Sequence, residues 1–198
     1  MVQQRIRWKP TRDASPHVLI RSQRLRLAGK IPPGHPRISQ GGSNNAEITQ
    51  SQLGETCPEL KLDAPGGIKT VCHLDKTLFS MITPEVQQSL DSLKAEGPLS
   101  CILVGIESHI CITQTTIDLL NAGHKVYVLA DGVSSCNKEE VPIALARLRH
   151  AGAIITTSES FIYELVGDAG TAEFKEIIKV IKETSASTKE TMQTLCKI

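Results

Sequence analysis

The chain has 198 residues, and its 22 Lys and Arg against 21 Asp and Glu give a formal net charge of +1. This length fits a single domain with a buried hydrophobic core. The balanced charge argues against a nucleic-acid or anionic-membrane surface. No apolar run approaches the roughly 20 residues of a membrane-spanning helix, and the N-terminus has no apolar signal-peptide segment. We therefore expect small molecules or proteins as partners, with no nucleic acid and no membrane.

The cysteines indicate the redox compartment. They form no C-x-x-C pair and have no regular spacing, at positions 57, 72, 101, 111, 136 and 196. Such usage is typical of reduced thiols, so we expect a cytoplasmic protein. The opening MVQQRIRWKPTR is basic and free of acidic residues, as a mitochondrial transit peptide would be, and that alternative localisation stays open.

Residues 1–52 are atypical and loop-rich. Within residues 15–31 (SPHVLIRSQRLRLAGKI) the apolar spacing favours one helix, with Gly29 near its end. Residues 31–54 hold three prolines and four glycines without a periodic apolar face, which predicts a long surface loop. No strand is predicted before the helix, so the sheet is expected to lack its usual first strand.

From Pro65 onward, short β-branched runs alternate with segments of helical period. Strands are predicted at 68–74, 99–106, 125–131 and 153–157, and helices at 84–95, 110–122, 138–150, 159–166 and 172–183. Pro84 opens one helix, and Gly123 and Gly152 close two others. The pattern predicts an α/β fold with a central, mostly parallel sheet. We expect one domain over residues 1–184, followed by a weakly ordered tail at 185–198 that is rich in Ser, Thr and Lys.

Cys111 comes just after a predicted strand, in GIESHICITQTT (residues 105–116). In open parallel sheets, ligands bind beyond the carboxyl ends of the strands. The first turn of a helix favours a thiolate, because unpaired backbone N–H groups and the helix dipole stabilise negative charge. Such a thiolate is a nucleophile, and neighbouring amides are placed to hold an oxyanion. The alternative is a small core residue, since free cysteines are often buried without a function.

Lys76, in HLDKTLFSM, directly follows the predicted strand at 68–74 and so points toward the same sheet edge as Cys111. Its charge is suited to stabilising a thiolate, and the alternative is a solvated lysine in a loop. These two readings are both open on spacing alone.

Other polar residues at this edge are weaker candidates. His109 and Cys111 are two positions apart near a helix start and do not face one another, which favours a capping or pocket-wall role for His109 over that of a base. Asp131 is expected to cap the turn after its strand, and Cys136 to be a loop or helix-start residue rather than a nucleophile. No metal-ligand spacing and no phosphate-binding glycine pattern is present, so neither a metal nor a cofactor is predicted.

Three co-linear stretches resemble the isochorismatase-like hydrolase family: LDKTLFSM, CILVGIESHICITQTTIDLLNAGHKVYVLADGVSS and ITTSESFIYELVGDAGTAEFKEIIKVIKE. The resemblance covers residues 53–183, including LGETCPEL, and is closest to the eukaryotic isochorismatase domain-containing branch. It implies a three-layer α/β/α fold with a central parallel sheet and a homo-oligomer. The family also includes nicotinamidases and carbamoylsarcosine amidases.

In that family a cysteine attacks the carbonyl or amide carbon of a small substrate, an aspartate is its base, and a lysine supports both. The resemblance places the cysteine at Cys111 and the lysine at Lys76. It also implies a cis peptide between Ile106 and Glu107 that orients an amide toward the oxyanion. Together with His109, these two residues are the predicted oxyanion and substrate-binding positions.

The N-terminal part departs from the family pattern. The family aspartate ends the first strand in a segment such as DMQERFR, and the similar opening MVQQRIR has Met1 in its place. The stretch IPPGHPRISQGGSNN likewise stands where the family has a strand beginning IPV. Three explanations stay open: a truncated or mispredicted gene product, a degenerate member, or a base supplied from elsewhere. Asp13 and Asp75 are the nearest acidic residues, and neither matches a family position.

Two functions follow from these observations. The first is a cysteine hydrolase that acts on a C–N or enol-ether bond of a small molecule without a cofactor, impaired by the missing aspartate. The second is an inactive isochorismatase-like fold that serves as an interaction protein. The reactivity of Cys111 discriminates between them.

Overall fold

The protein is described by a computed structural model over residues 17–21, 74, 76–93 and 97–195. In this part of the chain four strands form one sheet, every neighbouring pair being parallel. In spatial and chain order the strands are β1 (His17–Arg21), β2 (Ser100–Ile106), β3 (Lys125–Ser134) and β4 (Ile154–Thr156). The strands predicted at 99–106, 125–131 and 153–157 are therefore confirmed, and residues 68–73 of the strand predicted at 68–74 lie outside the described part.

Helices follow the strands as expected for an α/β fold. A π-helical turn, Ser108–Ile112, precedes the second helix; the α-helices are α1 (Pro84–Leu93), α2 (Thr113–Asn121), α3 (Glu140–His150), α4 (Ser158–Val166) and α5 (Ala172–Leu195). The observed starts differ from the predicted ones by at most three residues, as at α2, predicted from 110 and observed from 113. Gly123 and Gly152 follow α2 and α3 with φ of 81° and 106°, which glycine adopts without strain.

The helices cover both faces of the sheet, because consecutive side chains of a strand point to opposite sides. Alternate buried residues of β2 and β3 pack on one face with Leu90, Leu119, Val141, Leu145 and Leu148 of α1, α2 and α3. The other alternate set packs on the opposite face, where Tyr127 and Phe161 of α4 meet edge to face at 4.9 Å. The fold is thus the predicted three-layer α/β/α arrangement, and its doubly buried strands explain the continuous apolar runs.

The helix predicted over residues 15–31 is wrong over residues 17–21, which form a strand of the sheet. Residues His17–Arg21 form β1, which pairs in parallel with β2 from His17 opposite Ser100 to Arg21 opposite Val104. The five-residue HVLIR is rich in β-branched and aliphatic residues, and a strand edge of β2 is available to it. Tertiary pairing therefore overrides a helical period that was read over a longer window. The loop predicted at 31–54 lies outside the described residues.

The predicted helix end at Glu183 is also wrong. Helix α5 continues to Leu195, so residues 185–195, which were expected to be a weakly ordered tail, are helical. Their Ser, Thr and Lys content lowers helix propensity only slightly, because lysine is a good helix former. These residues also extend a helix whose earlier turns are already formed, so no new nucleation is needed. The extent of the domain over residues 1–184 stays a prediction.

Strand β3 runs three residues beyond its predicted end at Asp131 because its register shifts. Leu103 pairs with Val128, whereas Gly105 pairs with Val133. The close approach of β3 to β2 at this shift requires a glycine at Gly132, since a Cβ there would lie 2.9 Å from Val104 Cγ1. The shift ends β3 beside Ile106 and so brings Ser134 and the residues after it against the loop that follows β2.

The Cys101 thiol provides a pH-dependent test of this core. Burial raises the pKa of Cys101 from 9.0 to about 12, because desolvation disfavours the thiolate. The unfolded chain releases this proton at lower pH than the folded chain. The stability from this thiol is therefore complete below about pH 9 and is lost as the pH rises from about 9 to about 12. We expect the urea midpoint of wild type to fall more than that of Cys101→Ala between about pH 8 and about pH 10.5. Equal falls in the two proteins would contradict the burial of this group.

Candidate functional site

Cys111 lies on the π-helical turn Ser108–Ile112, between the end of β2 and the start of α2. The Ile112 amide donates to the Glu107 carbonyl at 3.1 Å, a bond that spans five residues and widens the turn. The α-helix predicted from residue 110 is therefore a π turn over its first residues. The predicted cis peptide between Ile106 and Glu107 is confirmed. The thiol thus lies at the carboxyl edge of the sheet, partly buried.

Lys76 is brought to this thiol from 35 positions away in the chain. It is buried, with 6% of its surface exposed, so the alternative of a solvated lysine is wrong. Its Nζ donates to the Leu78 carbonyl at 2.6 Å, to the Phe79 carbonyl at 3.0 Å and to Cys111 Sγ at 3.7 Å. An ammonium has three N–H donors, and these contacts occupy all three. The charge is therefore held at one position against the sulfur.

Thr115 links the segment that carries Lys76 to the turn that carries Cys111. Its hydroxyl accepts a hydrogen bond from the Met81 amide at 2.8 Å and donates one to the Cys111 carbonyl at 2.7 Å. The sequence analysis missed this residue. The available indication was its position four residues after Cys111, which places it one turn further along the same helix face.

His109 and Glu107 belong to a neighbouring polar group on the same loop. The His109 Nδ1 lies 3.0 Å from Ser135 Oγ and 3.9 Å from Glu107 Oε2. Both partners approach the same ring nitrogen, whereas a Ser-His-acid relay uses the two different nitrogens of the ring. Ser135 Oγ also accepts from the Ser108 amide at 3.1 Å. The group therefore fixes the loop to the end of β3, and the arrangement fits a wall of the site better than a base.

Cys136 differs from Cys111 in its surroundings. It is exposed, and its amide donates to Glu107 Oε2 at 2.7 Å. Two causes raise the pKa of the Cys136 thiol: desolvation of the sulfur is the larger, and the nearby charge of Glu107 is the next. A carboxylate beside a thiol disfavours the nucleophilic thiolate. Of the two cysteines at this sheet edge, Cys111 has a cation as its neighbour and Cys136 has an anion.

The Asp131 carboxylate is hydrogen-bonded to the first residue of α4. Its Oδ1 accepts from the Ser158 amide at 2.8 Å, and its other oxygen accepts from the Ser158 hydroxyl. A carboxylate is stabilised there by the unpaired amides and the dipole of the first helical turn. The prediction that Asp131 caps the turn after β3 is therefore wrong, because its carboxylate accepts hydrogen bonds from the first residue of the helix after β4.

Two absences hold for residues 17–21, 74, 76–93 and 97–195. No group of three or more His, Cys, Asp or Glu side chains there is placed to hold a metal ion. None of the helices in that same part is both long and apolar enough to cross a membrane.

Comparisons with known proteins agree with this architecture. Residues 11–160 match the isochorismatase domain family. Isochorismatase domain-containing protein 2 from Homo sapiens is 47% identical over 131 residues, which are 66% of this chain and 60% of that protein. The secreted isochorismatase effector Isc1 from Phytophthora sojae is 44% identical over 136 residues, which are 67% of this chain and 62% of that protein. The chain spans about three fifths of the length of these curated relatives.

Solved structures show the same fold. The MAR1 ribonuclease from Caenorhabditis elegans is 41% identical, with a TM-score of 0.58 over 67% of this chain and 65% of that one. The putative MAR1 ribonuclease from Leishmania major is 32% identical, with a TM-score of 0.58 over the same shares of the two chains. Since the family match extends over residues 11–160, more than half of the 198, the chain belongs to the isochorismatase family and has its hydrolase fold.

Proposed function

We propose that this chain is a cysteine hydrolase that acts on a C–N or enol-ether bond of a small molecule without a cofactor. Cys111 is the nucleophile and Lys76 the cation that stabilises it. The observation that carries the proposal is the 3.7 Å contact between Lys76 Nζ and Cys111 Sγ, made by a buried ammonium. We further propose a homo-oligomer in the cytoplasm, in keeping with the expectations from sequence.

The environment of Lys76 favours an anionic sulfur. Burying a charge is costly unless an opposite charge or several hydrogen bonds compensate it. Two carbonyls supply part of that compensation, and no carboxylate in the described residues lies within 4 Å of Nζ. Negative charge on the Cys111 sulfur would interact favourably with this ammonium, 3.7 Å away, as a cysteine nucleophile requires.

The amides of the loop are the proposed oxyanion donors. The Ser108 amide already donates to Ser135 Oγ, and the Ile110 and Ile112 amides donate to the Glu107 carbonyl at 3.2 and 3.1 Å. We assign the role to the amides of His109 and Cys111, next to the sulfur. Ile106 and Glu107 then shape the loop, and the His109 ring forms part of the substrate wall.

The proposed reaction has two steps. For a C–N bond, the Cys111 thiolate adds to the carbonyl carbon of an amide, the C–N bond breaks as the leaving nitrogen takes a proton from water, and a thioester forms. The hydroxide left by that proton transfer attacks the thioester carbon, which releases the carboxylic acid and restores the thiolate. Of the described side chains, Lys76 hydrogen-bonds the sulfur, and no carboxylate does so.

Acetylation by p-nitrophenyl acetate tests the proposal with a simple acyl donor. We expect release of p-nitrophenolate in a burst, with the acetyl group located on Cys111 by peptide mass spectrometry. Cys136 is the internal reference, because it is more exposed than Cys111 and its neighbour is a carboxylate. Faster acetylation of Cys111 than of Cys136 supports the hydrolase. Slower acetylation of Cys111 would favour the alternative, an inactive fold that serves as an interaction protein.

A further inference from the structure

We propose that Thr115 is a positioning residue that keeps the Lys76 ammonium against the Cys111 sulfur. This inference rests on the proposed function, because it concerns how the cation and the nucleophile are held together. Thr115 is fully buried, and its hydroxyl joins two separate parts of the chain. One part is the segment 76–83 before α1, and the other is the turn that leads into α2.

The hydroxyl is fully used in this link. It has one proton, which it donates to the Cys111 carbonyl at 2.7 Å, and its oxygen accepts from the Met81 amide at 2.8 Å. The Thr115 side chain therefore connects the backbone of the nucleophile to the backbone of the cation segment.

The cation segment depends on such a link for its register. Residues 76–83 form no helix or strand, and two contacts of Lys76 are to carbonyls of its own segment. Met81 and Ile82 pack against the core, but apolar contact is non-directional and permits sliding. In the described residues, the hydrogen bonds from this segment to the Cys111 turn and α2 are those made by Lys76 and by Met81. When the Met81 hydrogen bond is lost, we expect the contact between Lys76 Nζ and Cys111 Sγ to lengthen.

Thr116 provides a matched control for Thr115. It is the next residue of α2 and is also fully buried. Its hydroxyl donates to the Ile112 carbonyl at 2.7 Å, a bond within the helical segment that does not reach the cation segment. Replacing either threonine with valine removes one buried hydroxyl at nearly constant shape. Only the Thr115 replacement removes the link.

The experiment measures alkylation by iodoacetamide, a neutral reagent, at three cysteines of the full chain by peptide mass spectrometry. Cys111 reports the site, Cys136 reports an exposed thiol that has no contact with Lys76, and the buried Cys101 becomes reactive only if the protein unfolds. The variants are Thr115→Val, Thr116→Val and Thr115→Ser, each with and without Lys76→Met. Thr115→Ala and Thr116→Ala repeat the comparison if either valine variant exposes Cys101.

Thr115→Val is expected to slow alkylation of Cys111 roughly three- to tenfold, the range for one lost hydrogen bond. The slowing caused by Lys76→Met should shrink by the same factor in this background, since the cation is already misplaced. Thr116→Val should leave both rates within about twofold of wild type, and Thr115→Ser should restore them. A merely structural role for Thr115 would not reduce the effect of Lys76→Met.

Three results would overturn the inference, and they differ in whether the proposed function also fails. If Lys76→Met slows Cys111 in wild type and slows it equally in Thr115→Val, the positioning role is wrong while the proposed function stands. If Lys76→Met has no effect on Cys111 in wild type, the proposed function fails and the positioning role fails with it. Equal rates for Thr115→Val and Thr116→Val would also reject the role of Thr115.

Discussion

Replacing Cys111 with serine is expected to lower the hydrolysis of p-nitrophenyl acetate by at least about 10³-fold, since removing a nucleophile disables the group of residues that acts with it. A serine hydroxyl is a weak nucleophile unless a base takes its proton. Lys76 is a cation with its three donors already occupied, so it does not supply that base. The measurement is steady-state release of p-nitrophenolate, with the acetyl adduct followed on the same samples.

Cys136→Ser is the matched control for this substitution. Cys136 lies at the same edge of the sheet, but it is exposed and its amide is bonded to Glu107. Its replacement should leave the hydrolysis rate within about twofold of wild type, as for a surface change away from the chemistry. A large loss in Cys136→Ser together with an active Cys111→Ser would show that the nucleophile has been assigned to the wrong cysteine.

Replacing Lys76 with methionine is expected to slow acetylation of Cys111 by roughly 10- to 150-fold. This range corresponds to about 1.5–3 kcal/mol for a hydrogen bond to a charged group. Methionine keeps most of the buried stem and removes only the charge and the donors. The measurement is the single-turnover rate of adduct formation on Cys111.

Lys138→Met is the control for loss of a positive charge. The Lys138 side chain is 82% exposed, and its ammonium lies 3.9 Å from Glu139, a surface pair that contributes little. Its replacement should leave the acetylation rate of Cys111 unchanged. If the two lysine variants slow the reaction equally, the effect belongs to the net charge of the protein rather than to the contact with the sulfur. Reactivity at Cys101 in either variant would identify unfolding as the cause.

Local sequence determined most of the elements that surround the site. The apolar runs at β2 and β3 are buried on both faces, so composition alone identified them as strands. The helix ends at Gly123 and Gly152 follow from a backbone conformation that glycine adopts readily. The position of Cys111 after β2 needed only the rule that strand-to-helix loops meet at the carboxyl edge of a parallel sheet.

Contacts between distant parts of the chain were decided by the tertiary structure. The five residues of β1 become a strand because β2 offers an edge to pair with, which no window of local spacing contains. Lys76 and Thr115 meet around Cys111 only when the segment before α1 packs against the start of α2. A residue's own neighbours set its backbone preference, whereas the partner of a buried charge or hydroxyl depends on which segments the core brings together. The sequence alone therefore determined most of the elements and the candidate nucleophile, and the packing of the helices on the sheet determined β1 and which side chains surround that nucleophile.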